Sequence, residues 1–201
     1  AELKEEKKTM AKEYFRTLSA VFPIILRREG GRTQILLHLR QNTGYMDGFW
    51  DVAGSGHVDG GETASQALCR ECFEELGIRV RPQDTEFARL THSVDSADET
   101  ETYYHLFFFV RAYEGTPRIM EPDKSAALEW FDLDRLPDGM VPALRSDVGE
   151  LMRGVVYGER IEPHCELNPA DAVQEAADGD VLAASEKLLQ RNAYVYEELA
   201  K

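Results

Sequence analysis

Residues 56–78 join a glycine-rich loop to a stretch with the spacing of an amphipathic helix. Apolar residues recur there at every fourth position and form one narrow stripe: Ala64, Leu68, Cys72 and Leu76. Thr63 is a good N-cap for this helix, and Gly77 can end it in the left-handed conformation. The glycines before the helix allow the loop backbone to approach a ligand closely. We therefore predict a loop followed by a capped helix that buries one face against a core.

Three acidic residues on this helix, Glu71, Glu74 and Glu75, lie three and four positions apart or side by side. A helix places them on one turn, where their mutual repulsion costs stability. A hard divalent cation such as Mg²⁺ takes oxygen ligands and removes that cost. A solvated acidic helix face is the simpler alternative, but the apolar stripe, the caps and the glycine-rich loop favour a metal site.

The same residues resemble the signature of the Nudix hydrolases, G-x5-E-x7-R-E-U-x-E-E-x-G-U, in which U is an apolar residue. All nine specified positions are occupied, and Cys72 fills the first apolar one. The chain is thus identified as a member of this superfamily, similar to its MutT-like branch. The resemblance covers about residues 19–153. It implies an α/β fold, in which an α/β/α sandwich surrounds a mixed β-sheet.

The resemblance also implies roles for the signature residues. Glu71, Glu74 and Glu75 hold Mg²⁺, for which Mn²⁺ is a possible substitute, and the Gly56 carbonyl adds a ligand. Glu71 is the first candidate to orient or deprotonate the attacking water, with Glu74 or a loop carboxylate as the alternative. Arg70 is expected to pair with Glu62 and lock the loop against the helix, beside the catalytic residues.

A further metal ligand is implied outside the signature. In MutT-like members, a glutamate that lies four residues beyond the proline of an E-G-x-P segment reaches the metals. Residues 114–117 have that pattern, and Glu121 follows at that spacing. An ordinary loop glutamate is the alternative reading of Glu121, and Glu99 and Glu101 compete for the same role.

The predicted reaction is cleavage of the diphosphate linkage of a nucleoside triphosphate, or of a related nucleoside diphosphate derivative, by metal-activated water. MutT-like members with E-P-x-K segments similar to residues 121–124 act on nucleoside triphosphates, including damaged ones. Arg40 is a candidate to bind a phosphate oxygen with two hydrogen bonds, and an ordinary surface arginine is the alternative, which is favoured slightly. Tyr45 and Trp50, together with Phe49, are candidates to stack on a base, although aromatic residues beside a loop are more often core.

Other functions remain open. A nucleotide sugar or a dinucleotide is an alternative substrate for the same chemistry. Trp50-Asp51 and residues 56–58 also resemble the isopentenyl-diphosphate isomerase branch, but Cys69 and Cys72 match neither position of that branch's acid–base residues. A Nudix module that binds nucleotide without turnover typically loses the signature carboxylates, and all of them are present in this chain.

The composition of the chain disfavours some classes of binding partner. A formal net charge of −14 disfavours nonspecific binding to nucleic acid or to an anionic membrane. No apolar run approaches the length of a membrane-spanning helix. The three cysteines, Cys69, Cys72 and Cys165, fit a reduced compartment better than a disulfide framework, so a cytoplasmic location is predicted.

The chain is predicted to contain a polar helical segment at 1–17, a Nudix hydrolase domain at 18–155 and a C-terminal helical extension at 156–201. Within the domain, strands are predicted at 19–28, 34–39 and 126–131, a hairpin at 87–94 and 103–112, and a second helix at 141–152. Pro23 suggests that the first strand is an edge strand or contains a bulge. An apolar stripe over 182–199 must be buried, either on the chain's own core or in a homodimer.

Overall fold

The computed structural model describes residues 15–95 and 102–162, which form one eight-stranded mixed sheet with a helix against each face. A short 3₁₀ helix at Pro82–Asp84 precedes the fifth strand. The strands and helices are β1 (Leu18–Glu29), β2 (Arg32–Arg40), β3 (Trp50–Val52), β4 (Gly56–His57), α1 (Ala64–Leu76), β5 (Thr85–Asp95), β6 (Thr102–Val110), β7 (Ser125–Asp132), α2 (Pro142–Met152) and β8 (Tyr157–Glu162). The predicted fold class, an α/β/α sandwich around a mixed sheet, is confirmed.

The sheet has the strand order β3-β2-β1-β6-β5-β8, with β4 paired to β1 and β7 paired to β2. Two pairs are parallel, β1 with β6 and β5 with β8, and the others are antiparallel. The predicted hairpin is the antiparallel pair of β5 and β6. The helix α1 packs on one face of this sheet and α2 on the other.

Strand β1 is central and shows how the two cores divide. Ala20, Phe22 and Ile24 belong to the core under α2, whereas Val21 and Ile25 belong to the core under α1. This alternation follows from the two-residue period of a strand, which points successive side chains to opposite faces. Both faces of β1 are buried, as expected for a strand between two helical layers.

The prediction from Pro23 was wrong, because β1 is an interior strand. Its register with β6 runs from Leu18 to Ile25 without a bulge. On its other side, however, β1 pairs with β4 only at residues 20–21 and with β2 only from Leu26. Pro23 therefore lies in the gap between these two partners, where its missing N–H disrupts no ladder hydrogen bond.

Helix α1 begins and ends where the sequence indicated. The Thr63 hydroxyl accepts from the Gln66 amide, and the Gln66 side chain returns a bond to the Thr63 amide, which completes a capping box. Gly77 ends the helix with φ 65°, in the left-handed region. Ala67, Leu68, Cys72 and Leu76 are the buried residues, and Ala64 is partly buried against the same core, so the predicted stripe faces the core.

Strands β3, β4 and β8 were not predicted. The first two fall in a region assigned to loops, and β8 falls in the segment assigned to a helical extension. Because β8 pairs with β5 over Tyr157–Glu162, the sheet continues past residue 155. The predictions for residues 1–14 and for the stripe at 182–199, together with Glu99, Glu101 and Cys165, lie outside the described residues. In the described ranges, no helix has the length and apolar character needed to cross a bilayer.

Candidate active site

Glycine at position 56 lets the Glu71 carboxylate pack directly on the backbone of β4. A Cβ built on Gly56 would lie 2.2 Å from Cδ and Oε1 of Glu71, far inside van der Waals contact. Strand β4 is itself fixed by β1, because Val21 pairs with Gly56 and Ala20 with His57. The loop and the helix therefore meet at one point, with a backbone and a carboxylate side by side.

Arg70 ties the acids of this region together. Its guanidinium donates to Glu62 Oε1 at 2.7 Å and Oε2 at 3.2 Å, so the predicted pair is present. It also donates to Glu71 at 2.7 Å, to Glu74 at 3.1 Å and to the His57 carbonyl at 3.0 Å. Hydrogen bonds from Arg70 lower the pKa of Glu62. Arg70 thus anchors the glycine-rich loop to α1 and fixes the Glu71 carboxylate.

Glu71 and Glu75 face a common cavity, whereas Glu74 does not. Burial raises the pKa of Glu71, and burial together with repulsion from Glu71 and Glu121 raises the pKa of Glu75 to about 8. The described part of the chain gives the Glu75 carboxylate neither a hydrogen bond nor an ion pair. The Glu74 side chain is half exposed and bonded to Arg70. The structure therefore brings two of the three predicted glutamates together.

Glu121 lies close to Glu75, on the segment before β7. Both line a small hollow with His38, Lys124 and Ser125, and Glu121 is ion-paired to Lys124 at 2.9 Å. The hollow lies next to the larger cavity, because His38, Glu75 and Lys124 line both. Glu121 therefore lies beside Glu75 of α1, with Lys124 as its ion-pair partner, and its role as a metal ligand stays a prediction.

The carboxylate oxygens of Glu71 and Glu75 are the type of ligand that a hard cation takes. No group of three or more His, Cys, Asp or Glu side chains within 15–95 and 102–162 is close enough to enclose a metal ion. Mg²⁺ does not require such a cage, because it is usually bound by one or two carboxylates, retained waters and substrate phosphates. Glu71 and Glu75, with the Gly56 backbone beside Glu71, supply two carboxylates, and a cation would offset both the burial and the mutual repulsion that raise the Glu75 pKa.

The cavity itself has a volume of about 890 Å³, and its wall combines two chemically different groups of residues, called here the carboxylate end and the aromatic end. Glu71, Glu75 and Lys124 line one end. At the other end are the rings of Phe22, Tyr103 and His105: the His105 ring lies 5.2 Å from Phe22 and 5.6 Å from Tyr103 between centroids. This is the size of a small-molecule site. A ligand that fills it must combine an anionic part with a flat or apolar part.

Of the aromatic residues proposed from the sequence, only Tyr45 lines the cavity, with its side chain half exposed. Phe49 is 8% exposed and belongs to the core under α2. Trp50 packs edge-on against Phe131 at 4.7 Å between ring centroids, against the same core. The structure therefore gives Trp50 a packing role and places it away from the cavity.

Arg40 lines the cavity, but its guanidinium is held by the protein. It donates to Asp51 at 2.5 Å, to the Tyr45 carbonyl at 2.8 Å and to the Thr43 hydroxyl at 3.0 Å. Asp51 is buried, so this ion pair is shielded from water on one side. These bonds shape the loop between β2 and β3 and hold Tyr45 at the cavity mouth. A phosphate contact by Arg40 would have to share the guanidinium with them.

Sequence reasoning missed several residues of the cavity wall. His38 is 7% exposed, and its Nε2 atom has no hydrogen-bond partner among the residues that the structure describes, while burial lowers its pKa and keeps the ring neutral. An unpartnered buried nitrogen beside a cavity points to a ligand or water contact. Tyr103 and His105 were also missed. Their position in β6 gave no signal, because strand alternation does not reveal which face borders an opening.

A family model for the NUDIX domain matches residues 17–153. This chain belongs to the Nudix family. The match covers α1, the glycine-rich loop and α2, and it ends before β8. The predicted family is thereby confirmed.

The chain is similar to several Nudix proteins. It is 34% identical over 112 residues to an uncharacterized Nudix hydrolase, orf19, from Rhodococcus erythropolis, covering 53% of this chain and 60% of that protein. It is 34% identical over 119 residues to an oxidized purine nucleoside triphosphate hydrolase from Danio rerio, covering 59% and 70%. A MutT Nudix hydrolase structure from Burkholderia pseudomallei has 30% identity and a TM-score of 0.57, covering 67% of this chain and 97% of that one. These relatives support the predicted enzyme class, a Nudix hydrolase.

Proposed function

We propose that this protein is a Mg²⁺-dependent pyrophosphohydrolase that cleaves nucleoside triphosphates or a related nucleoside diphosphate derivative. The observation that carries the proposal is the two-ended cavity. Its carboxylate end suits a cation bound to a diphosphate, and its aromatic end suits a base. The similarity to an oxidized purine nucleoside triphosphate hydrolase favours a purine nucleotide as the substrate class.

The residues of the carboxylate end have distinct tasks. Glu71 and Glu75 hold the cation, and the carbonyl of Gly56, on which Glu71 packs, is the further ligand. A bound Mg²⁺ neutralises phosphate oxygens and makes hydroxide available near neutral pH. Glu71 is fixed by Arg70 and packs on Gly56, so it is the best-oriented carboxylate to direct a water. Glu74 is turned towards Arg70 and away from the cavity, which supports Glu71 over Glu74 in this role.

Lysine at position 124 adds positive charge to a strongly acidic wall. Its ion pair with Glu121 raises its pKa, so it stays charged at neutral pH. A phosphate entering the cavity meets Lys124 beside the carboxylates, and the lysine can exchange Glu121 for a phosphate oxygen. Glu121 is then released towards the cation end, which reconciles its present ion pair with a role as a further ligand.

The test is a substrate panel with a matched pair of variants. Wild type is incubated with Mg²⁺ and canonical and oxidised deoxynucleoside triphosphates, a nucleotide sugar and a dinucleotide, and released pyrophosphate and phosphate are measured. Glu71→Gln should lose at least about 100-fold in kcat, because the cation site loses a charged ligand. Glu129→Gln, an exposed acid on β7, should match wild type. The proposal is wrong if no compound is turned over faster by wild type than by Glu71→Gln.

The cytoplasmic location and the homodimer remain predictions. The dimer is tested by measuring the mass in solution of the full chain and of a chain that ends at residue 162. If both chains form assemblies with the same number of protomers, the C-terminal segment has no role in dimerisation.

A further inference from the structure

A buried network of charges connects β5, α2 and β8 beside the aromatic end of the cavity. Asp147 of α2 accepts from Arg89 at 3.0 Å on one oxygen and from Arg160 at 2.5 Å on the other. Arg89 also pairs with Glu150, so two arginines face two acids. Arg89 and Asp147 are 3% and 2% exposed. The Arg89–Asp147 pair at the centre of the network is buried, so removing one partner would leave the other charge unpaired.

The local sequence is fitted to this network. A Cβ built on Gly158 would lie 2.0 Å from a terminal nitrogen of Arg89, so only glycine lets the guanidinium cross β8. The Arg89 guanidinium also donates to the Val155 carbonyl, in the turn that leads into β8. These contacts fix β8 on the sheet edge, and with it the position of Arg160.

The network delivers Arg160 to the cavity. The Arg160 side chain is 20% exposed, the most accessible of the three residues joined at Asp147, and it lines the cavity. In register, Arg160 pairs with Ser93, Ser93 with Tyr103, Thr91 with His105, and His105 with Ala20. Paired residues share a face of the sheet, so Arg160 is on the face that carries the aromatic rings.

Arg160 also fixes the state of His105. Its guanidinium lies 2.9 Å from Nδ1 of His105. Arginine has only donors, so Nδ1 must be the acceptor, and the neutral imidazole then carries its proton on Nε2. Arg160 and His105 therefore act together as hydrogen-bond donors at this end. Asp95 lines the same end and supplies acceptor oxygens.

The location identifies which part of a nucleotide meets these donors. Ala20 of β1 pairs with His57 of β4 on one side and with His105 of β6 on the other, so His105 and His57 are separated by two strand spacings. At a strand spacing of about 4.8 Å, this places the guanidinium about 10 Å across the sheet from the strand that contacts Glu71. With the phosphates at the Glu71 end, as in the proposed function, the group that can reach Arg160 is the base.

We propose that Arg160, held by Asp147 and paired with His105, recognises the acceptor edge of the nucleobase and gives the enzyme a preference for 6-oxopurines over 6-aminopurines. The proposal rests on the proposed function in taking a nucleotide as the ligand. Guanine and hypoxanthine present a carbonyl acceptor at position 6, where adenine presents an amino donor. A donor-only arginine can donate a further hydrogen bond to the carbonyl of the first, whereas it meets another donor in the second. Arg160 lies on β8, beyond the residues matched by the family model.

The experiment measures binding of dGMP, dIMP and dAMP to the full chain by calorimetry in Mg²⁺. Wild type should bind dGMP and dIMP at least about 10-fold more tightly than dAMP. Arg160→Gln should reduce that ratio to below about 3-fold. This variant should still fold, because Asp147 retains its ion pair with Arg89. Arg160→Lys should also lose most of the ratio, since lysine keeps the charge but not the planar fork. Arg111→Gln, an exposed arginine paired to Glu86, should retain the wild-type ratio.

The outcomes separate this proposal from the proposed function. Thermal unfolding of each variant confirms that it is folded. Equal affinity of wild type for dGMP and dAMP, or an unchanged ratio in Arg160→Gln, overturns base recognition by Arg160. Base recognition is also overturned if Arg160→Gln lowers the affinity for all three nucleotides equally and Arg160→Lys restores it. That result would assign Arg160 to binding a phosphate. Preferential binding without hydrolysis of any triphosphate supports base recognition while refuting the proposed activity.

Discussion

Replacing Gly56 by alanine should disable the carboxylate end of the cavity while the protein stays folded. The new Cβ would lie 2.2 Å from Cδ and Oε1 of Glu71, whereas ordinary contacts begin near 3.4 Å. The carboxylate must therefore move by about 1 Å or more, and a displacement of that size in a catalytic group costs about 100-fold in rate. The fold should tolerate the change, because the atoms displaced are the end of a flexible side chain and Gly56 has no positive φ.

The control is Gly60→Ala in the same loop, where a Cβ meets nothing within 4 Å and no positive φ is required. Three measurements are compared between the two variants: thermal unfolding, Mn²⁺ affinity by electron paramagnetic resonance, and kcat with the best substrate of the panel. We expect unfolding temperatures close to wild type for both, and losses of Mn²⁺ affinity and of kcat for Gly56→Ala alone. If Gly56→Ala binds Mn²⁺ and turns over substrate like Gly60→Ala, the packing of Glu71 on the β4 backbone has no part in the site.

Three further results are expected. In metal-free protein, the free energy of unfolding should fall as pH rises from about 5 to 8, by up to about 1.4 kcal/mol per pH unit, because folding raises the pKa of Glu75 to about 8. Urea titrations at each pH measure this decline, and Glu75→Gln should make it smaller. Asp147→Ala should lower the free energy of unfolding by about 3–5 kcal/mol by leaving buried arginines unpaired, whereas Arg111→Ala, on the surface, should cost less than about 1 kcal/mol. Tyr45→Ala should raise KM at nearly unchanged stability, whereas Trp50→Ala should lower the unfolding temperature and leave KM near the wild-type value.

Local signals explain what the sequence could predict of the fold. The bounds of α1 follow from Thr63 and Gly77, because caps act within one helical turn. The long strands follow from apolar patterns that span eight or more residues. Strands β3 and β4 have three and two residues, too few for a period, and they exist through pairing with β2 and β1. Strand β8 likewise depends on β5, a partner more than 60 positions away in the chain.

The site residues likewise include some that local sequence signals predicted and some that they did not. Spacing alone made Glu71, Glu74 and Glu75 equivalent, whereas in the structure Glu71 and Glu75 line the cavity and the half-exposed Glu74 does not. Gly56 and Glu62 were found because the loop and α1 are adjacent in sequence. His105 and Arg160, in contrast, are 55 positions apart and meet only through the sheet. Such pairs leave no trace in a single sequence, since neither residue is unusual for a strand.

The central claim is that Glu71 and Glu75 hold a divalent cation beside the Gly56 backbone. The most direct measurement is anomalous scattering from crystals soaked in Mn²⁺ and a non-hydrolysable nucleoside triphosphate analogue. We predict a manganese peak within coordination distance of both carboxylates, bridged to the phosphates of the analogue. Full manganese occupancy elsewhere, with both carboxylates uncoordinated, would contradict the account.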